Sequence, residues 1–420
     1  MTTREDCLLR DAADPLAPLR DQFELPPGVI YLDGNSLGPL PRATPDRIAA
    51  VIRGEWGTDL IKSWNSAGWI DLPADVGDQI APLVGAGAGE LIAADSTSVN
   101  LFKVLAAALR IVGEDDPARC EIVSERDNFP TDLYIVQGLS ELLGGRYTLR
   151  LVDSADEIPA ALGPKTAVLM LTQVNYRTGA LHDMAALSAA AHAAGALTVW
   201  DLAHSAGALP VALNDDGADF AIGCGYKYLN GGPGAPAFVW VAPRHVSRFR
   251  QPLSGWMGHA RPFDFVPGYE AGEGVARYLC GTPSVLAMSA LECGVETLLA
   301  AEPYGGMAAL RAKSLALTDL FIERVEARCA GQGLTLVTPR EAARRGSQVS
   351  FAFDSAWPVC QALIARGVIG DFRAPDILRF GFAPLYIRFT DVWDAAEALA
   401  TVLETGEWLE ARFAERSAVT

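Results

Sequence analysis

Short apolar runs alternate with longer stretches rich in alanine and leucine between about residues 90 and 245. The apolar runs are continuous, which is typical of strands that are buried on both faces of a parallel sheet. Alternating strands and helices form βαβ units, so this region is predicted to be an α/β domain with a mostly parallel sheet. The predicted strands are 121–125, 147–153, 166–174, 196–201, 219–225 and 236–242, and the predicted helices are 99–113, 131–143 and 183–196.

The pattern changes after about residue 300. A long helix at 307–330 is followed there by predicted strands at 335–339, 348–353 and 378–384 and by a helix at about 357–366. The first sixty residues are irregular except where Thr-Pro-Asp predicts a helix with Thr44 as its N-cap. The predicted organisation is a large α/β domain at 55–305 and a small α+β domain at 306–420, with 1–54 as an N-terminal segment.

Composition and charge exclude several classes of protein. The chain has 34 basic and 51 acidic residues, a net charge of −17, so nucleic acid and anionic lipid are poor partners. No apolar run approaches the roughly 20 residues that cross a bilayer, and the polar start has no signal-peptide core. The seven cysteines are scattered and odd in number, which favours reduced thiols over disulfides or a zinc site. We therefore expect a cytoplasmic protein without a metal.

Lys227 is the residue that first indicates a chemistry. It is one of only five lysines, and it lies between Tyr226 and Tyr228 in the segment GCGYKYLNGGPG. A loop lysine with its ammonium in water is the simple alternative. However, an amine in a partly apolar pocket has a lowered pKa and becomes a nucleophile near neutrality. Lys227 is therefore a candidate for Schiff-base chemistry with a carbonyl cofactor.

Pyridoxal phosphate, the usual cofactor of such a lysine, also needs a carboxylate at its ring nitrogen and a cradle for its phosphate. Asp201 ends a predicted strand, where α/β sheets place their ligands, and His204 follows it. Thr97 and Ser98 open a predicted helix with Ser98 as its cap, and free N–H groups there favour an anion. Ser96 carries less weight. Each residue also has a structural alternative, a helix cap or a satisfied polar group, but the combination favours the cofactor.

Several segments together resemble the kynureninase family of pyridoxal-phosphate enzymes. The Asp–Lys pair is common to the whole superfamily, whereas FPTD, SGWMGH and NSLGPLP narrow the resemblance to this family. The resemblance covers nearly the whole chain and implies an aspartate aminotransferase-like fold (fold type I, class V aminotransferase-like), with a seven-stranded sheet in the large domain. The matching segments are IYLDGNSLGPLP (30–41), SERDNFPTDLY (124–134), WDLAHSAGALPV (200–211), GCGYKYLNGGPG (223–234), LSGWMGH (253–259), YLCGTPSV (278–285) and LRFGFAPLY (378–386).

The resemblance implies hydrolytic Cβ–Cγ cleavage of L-kynurenine to anthranilate and L-alanine in tryptophan catabolism. The cofactor would be pyridoxal 5'-phosphate, acting through aldimine and ketimine intermediates at Lys227. 3-Hydroxy-L-kynurenine would be cleaved less well. The enzyme would be a cytoplasmic homodimer that completes each active site across its interface, with no nucleic-acid or membrane partner.

The resemblance also assigns roles to residues. Lys227 would bind the cofactor and move the Cα proton, and Asp201 would pair with the ring nitrogen. Because Tyr226 is next to Lys227 in the sequence, it is also our candidate for the acid that protonates the β-carbon. Trp256 and Thr282 would come from the partner subunit. The implied cofactor-binding residues are Thr97, Ser98, Phe129, Pro130, Thr131, Asp132, Thr172, Asp201, His204, Tyr226, Lys227, Trp256 and Thr282.

For the substrate, the resemblance implies that Arg379 clamps the α-carboxylate with a bidentate fork. Asn35, Ser36 and Trp64 would lie near the aryl ring. Arg379 has a surface arginine as its alternative and Trp64 a plain core aromatic. His259 is either structural or a substrate contact.

Two rival functions follow from the same residues. A cysteine desulfurase or another class V aminotransferase shares the fold, but a desulfurase needs a thiol on a mobile loop, and no cysteine lies in an obvious Gly/Ser-rich loop. A non-catalytic regulatory module would have lost Lys227 or gained a basic arm, and the sequence has neither change.

Overall fold

The computed structural model describes residues 2–416. The helices in this range are α1 (Arg4–Ala12), α2 (Thr44–Ala50), α3 (Ser63–Ser66), α4 (Leu72–Ile80), α5 (Thr97–Asp115), α6 (Pro130–Leu142), α7 (Ile158–Ala161), α8 (Met184–Ala193), α9 (Val285–Leu299), α10 (Gly306–Arg328), α11 (Ala356–Ala365), α12 (Phe389–Thr405) and α13 (Ala411–Ala414). A π-helical segment, Val51–Asp59, continues α2.

The strands are short and fall into three sheets. They are β1 (Ile30–Tyr31), β2 (Leu91–Ala94), β3 (Glu121–Glu125), β4 (Thr148–Val152), β5 (Thr166–Thr172), β6 (Leu197–Asp201), β7 (Phe220–Gly223), β8 (Ala237–Val241), β9 (Thr335–Leu336), β10 (Gln348–Ala352), β11 (Val368–Ile369), β12 (Asp371–Arg373) and β13 (Ile377–Gly381).

The large sheet has seven strands in the order β2-β8-β7-β6-β5-β3-β4. Only β8 runs antiparallel to its neighbours, so the predicted mostly parallel sheet is confirmed. All seven residues of β5 are buried. Leu169 and Leu171 belong to the core on one face of the sheet, and Val168 and Met170 to the core on the other. This double burial explains why the strands have continuous apolar runs.

The small sheet is antiparallel, in the order β12-β13-β10-β9, and α10, α11 and α12 pack near it. The N-terminal residues join this part of the molecule. β1 pairs with β11, and the Asp11 carboxylate accepts hydrogen bonds from the first backbone N–H groups of α12, those of Phe389 and Thr390. An acidic group in that position stabilises the positive end of a helix.

The predicted strands and helices occur in the structure with shifts of a few residues at their ends. The described helices and strands that were not predicted are α1, α3, α4, α7, α9, α12, α13, β1, β2, β11 and β12. Helix α1 buries only Cys7, so it has almost no apolar stripe to detect, and β2 is a run of only four residues. In the described residues, no helix is both long and apolar enough to cross a membrane.

Two predicted helix caps were wrong. Ser96, not Ser98, caps α5: its backbone is extended and its Oγ accepts the N–H of Val99 at 3.4 Å, whereas Ser98 is already inside the helix. Thr44 is the first residue of α2 rather than its cap. The preceding Ala43 already has helical backbone angles, and Thr44 Oγ1 is buried without a hydrogen-bond partner within residues 2–416.

Candidate active site

One cavity lies at the carboxyl ends of the parallel strands. Thr172 and Asp201, the last residues of β5 and β6, are register partners, and Lys227 follows the end of β7 by four residues. The sheet geometry thus brings residues far apart in sequence to one edge. The lining residues are Thr97, Ser98, Phe129, Thr131, Asp132, Thr172, Tyr176, Asp201, Ala203, His204, Tyr226 and Lys227. Ten of them were predicted from the sequence; Tyr176 and Ala203 were not.

Lys227 is held beside a neutral histidine. Its Nζ lies 3.1 Å from Nε2 of His204. Burial, together with the charge of Lys227, lowers the pKa of His204 well below its usual value, so the imidazole is neutral. A neutral ring accepts a hydrogen bond through only one nitrogen, so Nε2 accepts from the lysine and Nδ1 carries the other proton. Within residues 2–416, no hydrogen-bond partner meets that buried Nδ1.

Two carboxyl groups lie deep in the cavity, and their environments separate them. Asp201 and Asp132 are both buried. Burial raises the pKa of Asp201, but the Lys227 charge opposes the shift. Burial and the Asp201 charge both raise the pKa of Asp132, to well above its usual range. Because two close carboxylates disfavour a second negative charge, Asp132 is the neutral member of the pair and Asp201 the ionised one.

Aromatic residues form one side of the cavity. Phe129 and Tyr176 meet edge to face, with ring centroids 5.3 Å apart. The Lys227 ammonium lies 6.0 Å from the Phe129 ring centroid and 5.7 Å from that of Tyr226. Burial raises the pKa of Tyr226, so its phenol keeps its proton at neutral pH. This side of the cavity offers flat apolar surface and two phenol hydroxyls, those of Tyr176 and Tyr226.

The first turn of α5 closes the cavity at another side. Thr97 and Ser98 are its first two residues, and helix geometry leaves their N–H groups free for an anion. A flat heterocycle with a phosphate group suits these surroundings. The turn can hold the phosphate, the aromatic side chains can face the ring, and the buried Asp201 carboxylate and the unpartnered His204 Nδ1 supply polar contacts in the interior. The residues present therefore fit pyridoxal phosphate.

Several predicted residues lie outside this cavity. Pro130 is the first residue of α6, next to Phe129, but its side chain is not part of the lining. Trp64 and Trp256 line a separate apolar cavity, together with Phe263 and Phe265. Thr282 lines a third cavity. A single chain does not bring Trp64, Trp256 and Thr282 to Lys227.

His259 has a local structural contact. Its Nε2 lies 3.1 Å from the carbonyl oxygen of Gly268, and its Nδ1 accepts the N–H of Arg261 at 2.8 Å. Both contacts stay within the loop that contains Trp256 and Phe263.

Arg379 is buried, and its fork is engaged by Asp371. Nε donates to Asp371 Oδ1 at 2.8 Å, and Nη2 contacts the second carboxylate oxygen. Nη1 donates to the carbonyl of the cavity residue Tyr176 at 2.6 Å, and Nη2 also donates to Ser36 Oγ at 2.8 Å. The Nε and Nη2 groups of Arg379, which were expected to bind the substrate carboxylate, therefore already bind the carboxylate of Asp371.

Arg373 and Asp33 belong to the same cluster. Arg373 pairs with Asp371 at 2.7 Å, donates to Ser36 Oγ at 3.0 Å, and keeps a third of its side chain exposed. Burial and the Asp371 charge raise the pKa of Asp33 to about 8, whereas Arg379 and Arg373, working against burial, lower that of Asp371 to about 2. At neutral pH the cluster has two cations and one anion.

Asn35, beside Ser36, is fully buried, and neither of its amide atoms has a hydrogen-bond partner within residues 2–416. Asp371 and Arg373 were missed as parts of this cluster. The sequence signal that could have found them is their spacing of two residues. Side chains two apart on a strand share one face, and Asp371 on β12 is the register partner of Arg379 on β13.

Comparisons with known proteins identify relatives of this chain. A family model described as the kynureninase C-terminal domain matches residues 310–399. The chain is 59% identical to a kynureninase of Pseudomonas fluorescens and 58% identical to one of Burkholderia pseudomallei (strain 1106a), in both cases over 420 residues and all of both chains.

Solved structures show the same fold at low identity. A mutant of C-DES, with glycine covalently linked to the pyridoxal-phosphate cofactor, matches with a TM-score of 0.78 at 18% identity, over 91% of this chain and 98% of that one. The cysteine desulfurase CsdA of Escherichia coli matches with a TM-score of 0.74 at 19% identity, over 93% and 98%.

Proposed function

The chain belongs to the kynureninase family, and on that premise we propose how its residues carry out the reaction. The enzyme hydrolyses the Cβ–Cγ bond of L-kynurenine, giving anthranilate and L-alanine, and it depends on pyridoxal 5'-phosphate. The observation that carries the proposal is the juxtaposition of Lys227, His204, Asp201 and Asp132 in one cavity beside the first turn of α5. This places a nucleophilic amine, an ionised carboxylate and an anion cradle around one ring-sized space.

Pyridoxal phosphate, when bound, supplies an electron sink for carbanions next to the substrate nitrogen. Lys227 Nζ would hold the cofactor, and its amine would accept the proton removed from Cα and carry it until it is given back. His204 Nε2, neutral and 3.1 Å away, receives a hydrogen bond from that amine and fixes its direction. The ionised Asp201 would hold a proton on the ring nitrogen, and Thr97 and Ser98 would bind the phosphate.

Tyr226 is our candidate for the proton donor to the β-carbon. Its phenol stays protonated because burial raises its pKa, and it lies beside Lys227 in the same cavity. A donor must lie within hydrogen-bond reach of the atom that it protonates, directly or through one water. Water that enters the cavity adds to the γ-carbonyl carbon before the bond breaks.

We propose that the cluster of Arg379 and Arg373 binds the substrate α-carboxylate. Its two cations and single anion leave one positive charge for an incoming carboxylate. Since Asp371 occupies the fork of Arg379, contact would use the remaining Nη1 hydrogen of Arg379 together with the more exposed Arg373.

The test of the proposed function is an assay for anthranilate fluorescence after L-kynurenine is added to the purified protein. The expected result is stoichiometric formation of anthranilate and L-alanine. If the protein binds pyridoxal phosphate but forms neither product, the assigned reaction is refuted although the cofactor site stands. Release of sulfur from cysteine under the same conditions would favour the desulfurase alternative instead.

The thiols argue against that alternative. Cys224, which lies closest in sequence to Lys227, is buried, and burial raises its pKa, so it is a poor nucleophile. Burial also raises the pKa of Cys280.

We propose that the active species is a homodimer. Large apolar side chains are exposed around the cavity of Trp64 and Trp256: Ile61 is 76%, Phe263 57% and Phe265 78% exposed. A contiguous apolar surface of this kind marks an interaction site. A second copy seated there would bring Trp256 and Thr282 toward its partner's active site.

Sedimentation velocity tests this dimer. The wild-type chain, 44.6 kDa, is expected to sediment as a dimer, and Phe265→Asp should shift it toward an inactive monomer. Leu409→Asp, at a leucine that is 69% exposed in the C-terminal region, is the matched control and should leave the dimer intact. A fully active wild-type monomer at assay concentration would contradict the shared site.

We also propose that L-kynurenine is preferred over 3-hydroxy-L-kynurenine. If Trp64 lies against the aryl ring in the dimer, it offers a flat face and no partner for a ring hydroxyl. An unpaired buried hydroxyl costs about 1–3 kcal/mol, or roughly ten- to a hundredfold in kcat/KM. Trp64→His should narrow the gap. Measuring both substrates on both proteins decides this, and a wild-type preference for the hydroxylated substrate would refute it.

The remaining proposals concern organisation and location. Pairing of β1 with β11 supports assigning residues 1–54 to the small domain at 306–420, with 55–305 as the large one. The seven free cysteines support a reducing compartment, and we propose the cytoplasm and a role in tryptophan catabolism.

A further inference from the structure

Lys103 is a buried lysine that takes no part in the chemistry described above. It lies on α5, and no part of its side chain is exposed. Its Nζ forms an ion pair with the Asp95 carboxylate and donates a hydrogen bond to the carbonyl oxygen of Tyr278 at 2.6 Å. One ammonium group therefore joins two segments that are distant in sequence.

The first of these segments leads into the proposed phosphate cradle, and the second faces Asp95 across a neighbouring cavity. Asp95 directly precedes the helix cap Ser96 and the cradle residues Thr97 and Ser98. Tyr278 precedes Thr282 by four residues, and Asp95 and Thr282 line the same cavity. A shift of the Lys103 ammonium would therefore move the loop that starts α5.

The backbone of Asp95 needs such support. Its φ of +45° lies in the left-handed region, which residues other than glycine seldom adopt. Its carbonyl oxygen accepts the N–H of Ala237 at 2.9 Å, which fixes the peptide group. Residues with an unfavourable backbone persist where their surroundings hold them. The Lys103 ammonium supplies that hold at the side chain of Asp95.

Because Lys103 is buried, its ammonium group depends on both of its partners. A buried ammonium is strongly destabilising unless it is paired and hydrogen-bonded, so Lys103 remains in place only while both partners keep their positions. Its charge is balanced by Asp95, and its side chain does not line the Lys227 cavity. Lys103 thus acts through geometry rather than by contact with a ligand.

We propose that Lys103 is a positioning residue for the cofactor phosphate. It holds Asp95, and with it the first turn of α5, against the Tyr278–Thr282 segment, so that the N–H and hydroxyl groups of Thr97 and Ser98 converge on one point. The proposal rests on the phosphate cradle of the proposed function. It extends that function by naming the residue that sets the shape of the cradle.

The test compares two probes that differ only in the phosphate. The full-length chain, freed of cofactor, is titrated with pyridoxal 5'-phosphate and with pyridoxal, and both dissociation constants are measured from absorbance. In Lys103→Met, affinity for pyridoxal 5'-phosphate should fall about tenfold or more, the size expected when a supporting contact is lost. Affinity for pyridoxal should stay within about twofold, because Lys227 and Asp201 are untouched.

Lys313 provides a matched control. It is also a buried lysine, with an ion pair to Asp14 at 2.6 Å and a hydrogen bond to the carbonyl oxygen of Pro384 at 2.7 Å. Lys313→Met removes the same kinds of contact away from the cradle, so it should leave the ratio of the two affinities unchanged. An equal loss for both probes in Lys103→Met, or the same ratio change in Lys313→Met, would overturn the proposal.

Two more variants complete the test. If Lys103→Met does not fold, Asp95→Asn removes the charge at the partly exposed end of the same ion pair. This variant should also lower the ratio of the affinity for pyridoxal 5'-phosphate to the affinity for pyridoxal. An unchanged ratio refutes the proposal. Ser98→Asp places a negative charge in the cradle itself. If Ser98→Asp leaves the ratio unchanged, both the proposed phosphate cradle and the role of Lys103 are refuted. If it lowers the ratio but loss of the Lys103–Asp95 pair does not, only the positioning role is wrong.

Discussion

Lys227→Ala should reduce turnover of L-kynurenine to background while the fold stays intact. The variant loses both the amine that holds the cofactor and the base that moves the Cα proton. Loss of a residue with such a role costs about 10⁴ or more in rate. No other lysine lines the cavity, and Lys103 is paired with Asp95 elsewhere. No second amine is therefore in place to take over the role of Lys227.

Anthranilate fluorescence measures the loss, and circular dichroism checks the fold. The absorbance band of the lysine-bound cofactor, at about 420 nm, should also disappear. Lys165→Ala, at an exposed lysine before β5, is the control and should keep wild-type turnover. Activity within tenfold of wild type in Lys227→Ala would remove Lys227 from the chemistry.

Asp201→Asn should lower kcat by several orders of magnitude, comparable to the roughly 10⁴ lost with other positioned carboxylates. An amide of the same shape has no negative charge, so it does not hold a proton on the ring nitrogen. Asp132→Asn is the informative comparison. Burial and Asp201 keep the Asp132 carboxyl neutral, so an amide there resembles the form already present, and we expect a far smaller loss.

Steady-state kinetics of both variants, with cofactor content measured by absorbance, separate the two roles. A large loss in Asp132→Asn with a small one in Asp201→Asn would mean that the two carboxyl groups have exchanged their charge states. Equal small losses would place the partner of the ring nitrogen elsewhere.

Part of the site could be predicted from the sequence because its position follows from the sheet. Asp201 ends an apolar run, and the carboxyl ends of adjacent parallel strands meet at one edge of the sheet. Thr172, its register partner at the end of β5, was named only through the family resemblance. Lys227 was marked by its unusual surroundings in the sequence. Tyr176 was missed because it lies in a loop, and nothing local indicates that its ring packs against Phe129.

Helix caps show the limit of local reading. Ser96 and Ser98 are equally good caps by residue type, and only the backbone angles distinguish them. The arginine cluster shows the same limit at long range. Arg379 is an unremarkable strand residue in the sequence, and the carboxylate that engages its fork belongs to a neighbouring strand.

By itself the sequence determined the α/β class, most of the strands and about half of the helices, and it marked Lys227, Asp201 and the start of α5 as parts of a site. These depend on hydrophobic periodicity and on which residues begin or end an element, and both are written locally in the chain. The other cavity residues that were predicted came from the family resemblance. Only the tertiary structure decided that β8 runs antiparallel, that Trp64 and Trp256 share a cavity apart from Lys227, and that Lys103 contacts Tyr278, 175 residues away. Such contacts depend on how whole elements pack, and packing is set by the combined shape and charge of side chains that no local pattern brings together.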